Sequence, residues 1–414
     1  MHGLIKTISH YKDVVLLGFI AIPVGIAVGA AEALFGRGLE EITGIREKFT
    51  FQLTPFLPLA GMLIAYTYFR IGKNCAKGMS ILFSAAFNEK ENIPMRLVPL
   101  LMGSTWITHL FGGSAGREGA AVQIGGTMAY SVGKHLNTSN ASRIMLIAGM
   151  AAGFSGMFQT PLAAIFFAME VLTAGVVEYG ALFPCITASF AACYTSHALG
   201  LEKFTANLPD SPGLSTYFIL KTALSGILFG ITGGLFAYAL NLSRKYFGER
   251  IRNPVLRIFI AGCILSVLLL VLHSGRYSGS GENLIAASFS GEKLYIYDWI
   301  FKFLLTILTM SAGFQGGEVT PLFSIGATLG AVISPVLGLP AEFASALGFI
   351  AVFGAATNTI LAPVFVGAEV FGYDYLPYFF IVSAVAYVFN GNKSIYSCQR
   401  IWNGLVNGHT AEQT

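Results

Sequence analysis

The chain has 414 residues, of which 54% are hydrophobic and only 11% charged, and its mean hydropathy is +0.67. A soluble domain carries about 25% charged residues, so this composition excludes one and predicts an all-α polytopic membrane protein in a lipid bilayer. A net charge of +4 requires no nucleic-acid partner.

Apolar runs near the ~20 residues that cross a bilayer recur along the whole chain. They cover 14–35, 56–69, 97–111, 144–172 and 181–199, then 217–240, 258–272, 299–312, 321–337, 347–371 and 376–389. Several are shorter or longer than one crossing, which predicts tilted, re-entrant and half-spanning helices. The first run is long and lacks a small-residue cleavage site, so it is expected to stay in the membrane. His2, Lys6, His10 and Lys12 precede it, and Arg244, Lys245, Arg250, Arg252 and Arg257 crowd the centre. The positive-inside tendency puts both segments on the cytoplasmic side. The expected organisation is one membrane domain: a first half 1–240 with an N-terminal cytoplasmic segment, a basic cytoplasmic connection 241–257, and a second half 258–414 with a short C-terminal tail. Cys75, Cys185, Cys193, Cys263 and Cys398 show no metal-ligand spacing and read as small packing residues. No metal or cofactor is expected.

Between two apolar runs stands Gly112-Gly113-Ser114-Ala115-Gly116-Arg117-Glu118-Gly119. Backbone can unwind in hydrocarbon only where protein or a water-filled cavity satisfies it, and an ionisable residue there is costly without a partner. A broken helix carrying Glu118 therefore reads as an ion site, the alternative being a helix-interface ion pair with Arg117. In a narrow pore a carboxylate competes with an anion for helix-terminal N–H groups, and protonation removes that competition. Glu118 could then be both gate and proton carrier, with Arg117 structural or field-shaping.

An internal repeat organises the chain. Gly149, Ala152, Leu162, Ala163, Phe166, Glu170 and Val171 recur as Gly348, Ala351, Leu361, Ala362, Phe365, Glu369 and Val370, all 199 residues apart. Ser114-Ala115-Gly116 with Glu118 has a looser echo in Ser311-Ala312-Gly313 with Glu318. Interrupted segments matched in two halves mark a transporter repeat with its site where the halves meet. Glu170 and Glu369, at matching ends of apolar runs, read as symmetric structural caps or interfacial anchors. His109, His197 and His273 read as packed or interfacial histidines, and 275–281 as an extramembrane turn.

Gly116-Arg117-Glu118-Gly119, the run Gly153-Phe154-Ser155-Gly156-Met157-Phe158-Gln159-Thr160-Pro161-Leu162-Ala163, Gly317-Glu318-Val319-Thr320-Pro321 and Tyr396 resemble the signature segments of the CLC family of anion channels and anion/proton antiporters. The resemblance implies a CLC-type inverted repeat of many tilted and half-spanning helices, with helix N-termini aimed at a central anion. It also implies a homodimer with one pore per subunit. Chloride-handling members usually read Gly-Ser-Gly-Ile-Pro where this chain has Gly78-Met79-Ser80-Ile81-Leu82, and Gly-x-Phe-x-Pro where it has Gly317-Glu318-Val319-Thr320-Pro321. Both departures resemble the fluoride/proton antiporter branch. Many chloride/proton antiporters also carry an inner glutamate directly after Glu170, where this chain has Val171.

The resemblance places the anion among Met79, Ser80, Phe83, Val319, Thr320 and Tyr396. Fluoride is small and strongly hydrated and needs close donors, which backbone amides, the Thr320 and Tyr396 hydroxyls and aromatic edges can supply. Met79 removes a hydroxyl suited to chloride, or is flexible packing. Phe83 follows one helical turn later and reads as a pore ring or as plain packing. Glu318 reads as a second proton-handling group or as a buried helix-capping carboxylate. The expected function is export of cytoplasmic fluoride in exchange for protons across a bacterial plasma membrane. A chloride or broad-anion CLC channel or antiporter is the alternative. An intramembrane serine protease is a remote third reading, resting on the Gly-x-Ser-x-Gly around Ser114 with His197 or His273 as base.

Overall fold

The computed structural model describes residues 2–87, 91–138, 140–206, 208, 213 and 215–402, with side chains from Lys12 onward. The side chains of His2, Lys6 and His10, and the tail beyond Trp402, lie outside the described residues. In chain order the helices are α1 (His2–Lys48), α2 (Thr50–Leu53), α3 (Leu57–Thr67), α4 (Ser80–Phe87), α5 (Leu97–Leu110), α6 (Glu118–Gly133), α7 (Ala141–Phe158), α8 (Pro161–Glu170) and α9 (Leu182–Ala198). The second series is α10 (Thr216–Arg250), α11 (Pro254–Val271), α12 (Glu282–Ser290), α13 (Asp298–Ala312), α14 (Val319–Leu337), α15 (Ala341–Thr357), α16 (Leu361–Phe371) and α17 (Leu376–Val388). A two-residue parallel pair, β1 (Thr173–Ala174) with β2 (Arg400–Ile401), ties the C-terminal segment to the end of α8.

The apolar runs 144–172 and 347–371 are each long enough for one crossing, yet each folds as two helices. Gln159, at φ 60°, ends α7 and Asn358, at φ 58°, ends α15. Both are left-handed C-caps that turn the chain, and Pro161 then opens α8 at a position where its missing N–H costs nothing. At 10 residues, α8 spans about 15 Å, half the hydrocarbon core. Hydrophobic periodicity cannot see such a break, because both pieces are apolar. By contrast α1 has 47 residues with Pro23 inside it, about 70 Å of helix. It cannot stand upright within the core, so it tilts and extends beyond.

The two halves pack alike. α1 packs on α7 and α9, and α10 packs on α15 and α17. The α6–α7 pair crosses at Gly125, where a Cβ would stand 2.2 Å from the Gly149 carbonyl oxygen; the α14–α15 pair crosses at Gly326, where a Cβ would stand 2.0 Å from that of Gly348. Only glycine permits these approaches, the small-residue packing by which membrane helices gain van der Waals contact. α10 thus packs in the second half as α1 does in the first, and residues 241–257 comprise the last turns of α10, the link 251–253 and the first turn of α11. Asn253 caps α11, accepting from the Val255 and Leu256 N–H groups at 2.9 and 3.3 Å.

The repeat meets itself at α8 and α16. Glu170 accepts from the Leu361 N–H at 3.0 Å and the Ala362 N–H at 3.2 Å, while Glu369 accepts from the Leu162 N–H at 3.1 Å and the Ala163 N–H at 2.9 Å. Each carboxylate at the end of one half-helix caps the start of the other, which selects the symmetric caps over interfacial anchors. Phe166 and Phe365 stack between them, centroids 4.5 Å apart and planes 10° apart. The looser echo is corrected: Gly116 pairs with Gly317 in an antiparallel bridge, through N–H···O contacts of 2.6 and 2.8 Å. Ser311-Ala312-Gly313 belongs to the end of α13 instead.

Some local expectations change. The segment 275–281 is a turn, in which Tyr277 and Ser278 are buried and the Gly279 N–H donates to the Gly113 carbonyl at 3.1 Å. Cys75 and Cys185 are buried, Cys193 is half-buried, and Cys263 and Cys398 are exposed, so the last two are not core packing; all five are free thiols. His109 is buried against the Gly116 carbonyl at 3.4 Å. His197 and His273 are exposed, bonded to the Leu201 carbonyl and the Tyr297 hydroxyl at 3.2 and 3.0 Å.

Candidate ion site

The Gly116–Gly317 bridge brings the first turns of α6 and α14 face to face. Glu118 opens α6 and is fully buried. Its side chain crosses to α14, where Oε2 accepts from the Thr320 N–H at 3.2 Å, from the Thr320 hydroxyl, and from the Arg117 N–H at 3.3 Å. A carboxylate thus occupies the N-terminus of α14, the place where backbone donors and the helix dipole favour an anion. Oε1 has no hydrogen-bond partner and lies 3.7 Å from Arg117 Nε. Arg117 Nη2 reaches Glu282 at 3.2 Å, so Glu282 and Glu118 share the guanidinium.

Two cavities approach this seat. One, of about 300 Å³, is lined by Met79, Ser80, Phe83, Gln123, Glu318 and Tyr396 among others, on the side of the α10–α11 link. The other, of about 280 Å³, is lined by Glu118, Thr320, Arg117, Phe158, Lys203 and Phe323 among others, on the side of the loop that enters the far end of α10. The boundary runs along the start of α14: Glu318 faces the first cavity, Thr320 the second, and Val319 is buried at the first helical position between them. Met79 and Ser80 are half-buried at the start of α4. Phe83, one turn on, is buried against the Tyr396 ring at 5.5 Å between centroids.

Glu318 stands at the N-cap of α14 but makes no side-chain cap, which corrects the capping alternative. Its Oε1 instead pairs with Arg244 Nη2 at 2.5 Å. Arg244 also donates to the Ile395 carbonyl at 3.4 Å, and Asn241, one turn earlier on α10, donates to the Ser394 carbonyl at 2.7 Å. Together they fix the segment that carries Tyr396. Arg244 belongs to the basic cluster that the sequence assigns to the cytoplasmic side, and only its distant partners at 318 and 395 reveal this role.

Lys302 was also missed. It is fully buried, and its ammonium donates to the Gly279 and Tyr277 carbonyls at 2.6 and 3.2 Å and to the Ser114 hydroxyl at 3.0 Å. It binds the glycine-rich break to 275–281. The Ser114 hydroxyl also pairs with Thr306 at 2.9 Å, and Ser114 is fully buried. Neither His197 nor His273 is among its hydrogen-bond partners, so the Ser-His pair on which the protease reading rests is not formed.

Residues 60–391 match the family described as voltage gated chloride channel. A chloride/fluoride channel protein of Pseudomonas syringae pv. tomato is 35% identical over 397 residues, covering 94% of this chain and 86% of that protein. An H(+)/Cl(-) exchange transporter of Vibrio cholerae is 25% identical over 75% of this chain and 71% of its own length. The crystal structure of a CLC-type fluoride/proton antiporter superposes with a TM-score of 0.92 at 45% identity, covering 95% of this chain and 99% of the other. A slow cyanobacterial Cl-/H+ antiporter, 19% identical with a TM-score of 0.75, shares the fold. A bridged pair of helix starts, a carboxylate seated on one of them and a family match across most of the length agree: this chain belongs to the CLC family of membrane transport proteins.

Proposed function

We propose that the chain is a secondary active transporter, and not an enzyme, that exports fluoride from the bacterial cytoplasm across the plasma membrane in exchange for protons. It would work as a homodimer with one pore per subunit. The observation that carries the reading is Glu118 on the α14 N-terminus, between two cavities and bonded through one oxygen alone. An arriving proton neutralises the carboxylate and weakens its hold on the Thr320 donors. A fluoride ion can then take the same N–H and O–H groups, whose short reach suits a small, hard anion. Deprotonation on the other side returns Glu118 to the seat and displaces the anion. With Val171 in place of an inner glutamate, Glu118 delivers the proton itself, and Glu318, paired to Arg244, is the second group available on the inner cavity. Met79, Ser80, Phe83, Val319 and Tyr396 line the anion's route.

Chloride transport is the second reading, favoured by the name of the Pseudomonas relative. Purified protein in liposomes separates the two when fluoride efflux, chloride efflux and internal pH are followed together. Fluoride efflux with proton uptake and little chloride is expected. Equal fluxes of the two halides would overturn the assignment.

A further inference from the structure

A recess of about 300 Å³ opens on the flank of the protein between α3 and α11, outside the seat of Glu118. Its walls are apolar, with Ile64 and Tyr68 from α3 and the turn after it facing Ile258 from α11, while Phe69, 76% exposed, stands at the rim. Lys73 and Arg257 line it as well. Among the described residues neither cation forms an ion pair, and Arg257 has one hydrogen bond, from Nε to the Ala312 carbonyl at 3.2 Å. Around it the two helices are coated with exposed Leu59, Leu63, Ile260, Ile264 and Val267, an apolar surface of the kind that hydrocarbon satisfies.

We infer that this recess binds one anionic phospholipid from the leaflet on the side of the α10–α11 link. Two cations that pair with no carboxylate among the described residues, lining an apolar recess on a membrane-facing flank, match a phosphate followed by an acyl chain. A soluble anion would leave the apolar walls empty, and a zwitterionic lipid would bring its own ammonium to the two cations. Arg257, Ala76, Gly313 and Gln315 line both this recess and the inner ion cavity, so the headgroup lies against the wall of that cavity. The inference rests on the chain spanning a membrane and is independent of which ion it carries.

The test is native mass spectrometry of the purified full-length protein in a neutral detergent, with phosphatidylglycerol or phosphatidylcholine of equal chain length added at matched concentration. Phosphatidylglycerol should be retained at least about fivefold more at one lipid per subunit. That preference should disappear in Lys73→Gln with Arg257→Gln, while Ala65→Trp, which fills the groove without changing its charge, should lower retention of both lipids. Equal retention of the two lipids by the unaltered protein would overturn the inference, as would an undiminished preference in the double variant. Displacement of the lipid by millimolar inorganic phosphate would instead identify a free-anion site and also overturn it. Exposed Lys73→Gln alone, expected to halve the preference or more, keeps the outcome decisive if the double variant misfolds in lipid-free detergent.

Discussion

Glu118, Glu170 and Glu369 are three carboxylates, the first two buried and the third half-buried, each placed on the N-terminus of a helix from the other half of the chain, and they are held differently. Both oxygens of Glu170 and both of Glu369 accept backbone N–H groups. Glu118 uses Oε2 only, leaves Oε1 without a partner, and lines a cavity from which neither of the other two is reached. A carboxylate whose two oxygens both accept backbone N–H groups is held from both sides. One held by half its acceptors, next to a void, can leave when its charge is neutralised. The chemistry of the two kinds of seat is therefore the same, and the number of satisfied oxygens and the adjoining cavity separate them.

The largest effect that would break this comparison comes from Glu118→Gln. Glutamine keeps the shape of a protonated glutamate but cannot exchange a proton, so proton uptake in liposomes should vanish and fluoride flux should fall with it. If fluoride efflux persisted at full rate without proton movement, Glu118 would be a gate only. Fluoride-driven proton uptake in this variant would move the carrier role to Glu318.

Glu170→Ala and Glu369→Ala should act on stability instead. Each leaves two backbone N–H groups at a helix start without acceptors, at a cost of about 1–3 kcal/mol per group where they are shielded from water. Thermal or denaturant unfolding in detergent should register about 3 kcal/mol for each variant. The number of protons moved per fluoride, measured on the folded fraction, should stay as in the unaltered protein. A changed ratio would make the caps part of the transport machinery.

Thr320→Val sharpens the gate side by removing the hydroxyl while keeping the N–H. Loss of one hydrogen bond to a charged group is worth about 1.5 kcal/mol, so fluoride turnover should slow roughly tenfold with the coupling to protons intact. Wild-type turnover would show that the backbone of α14 alone forms the seat. The smallest expected effect is that of Met79→Ser, which restores a hydroxyl on the inner cavity. Chloride efflux should rise a few-fold while fluoride efflux changes little, and unchanged chloride efflux would reduce Met79 to packing.

The contrast also bears on what could be read from residues alone. The seven residues at a constant spacing of 199 exposed Glu170 and Glu369 as a symmetric pair, and the Arg-Glu inside a glycine run marked Glu118 as out of place in hydrocarbon. Arg244, Glu282 and Lys302 stayed hidden for a common reason. Each is a charge whose meaning depends on a partner 74 to 188 positions away, as in Arg244 with Glu318, Glu282 with Arg117, and Lys302 with Ser114. The break at Gln159 and Asn358 escaped because left-handed caps need not be glycine and the runs on either side are equally apolar.

The sequence by itself determined that this chain lives in a bilayer, that it is a duplicated helical unit, and that a carboxylate stands where backbone is unwound. These follow from composition, repeat and the cost of charge in hydrocarbon, all of which are local or additive along the chain. Tertiary structure decided which helix start each carboxylate meets, because the N–H groups at a helix end are local while the acceptor comes from some 200 residues away and is delivered by the packing of one half on the other. It also decided that Glu118 keeps one oxygen free beside a cavity. That difference arises from the space left between α6 and α14, and space between helices is a property of packed surfaces that no single stretch of residues contains.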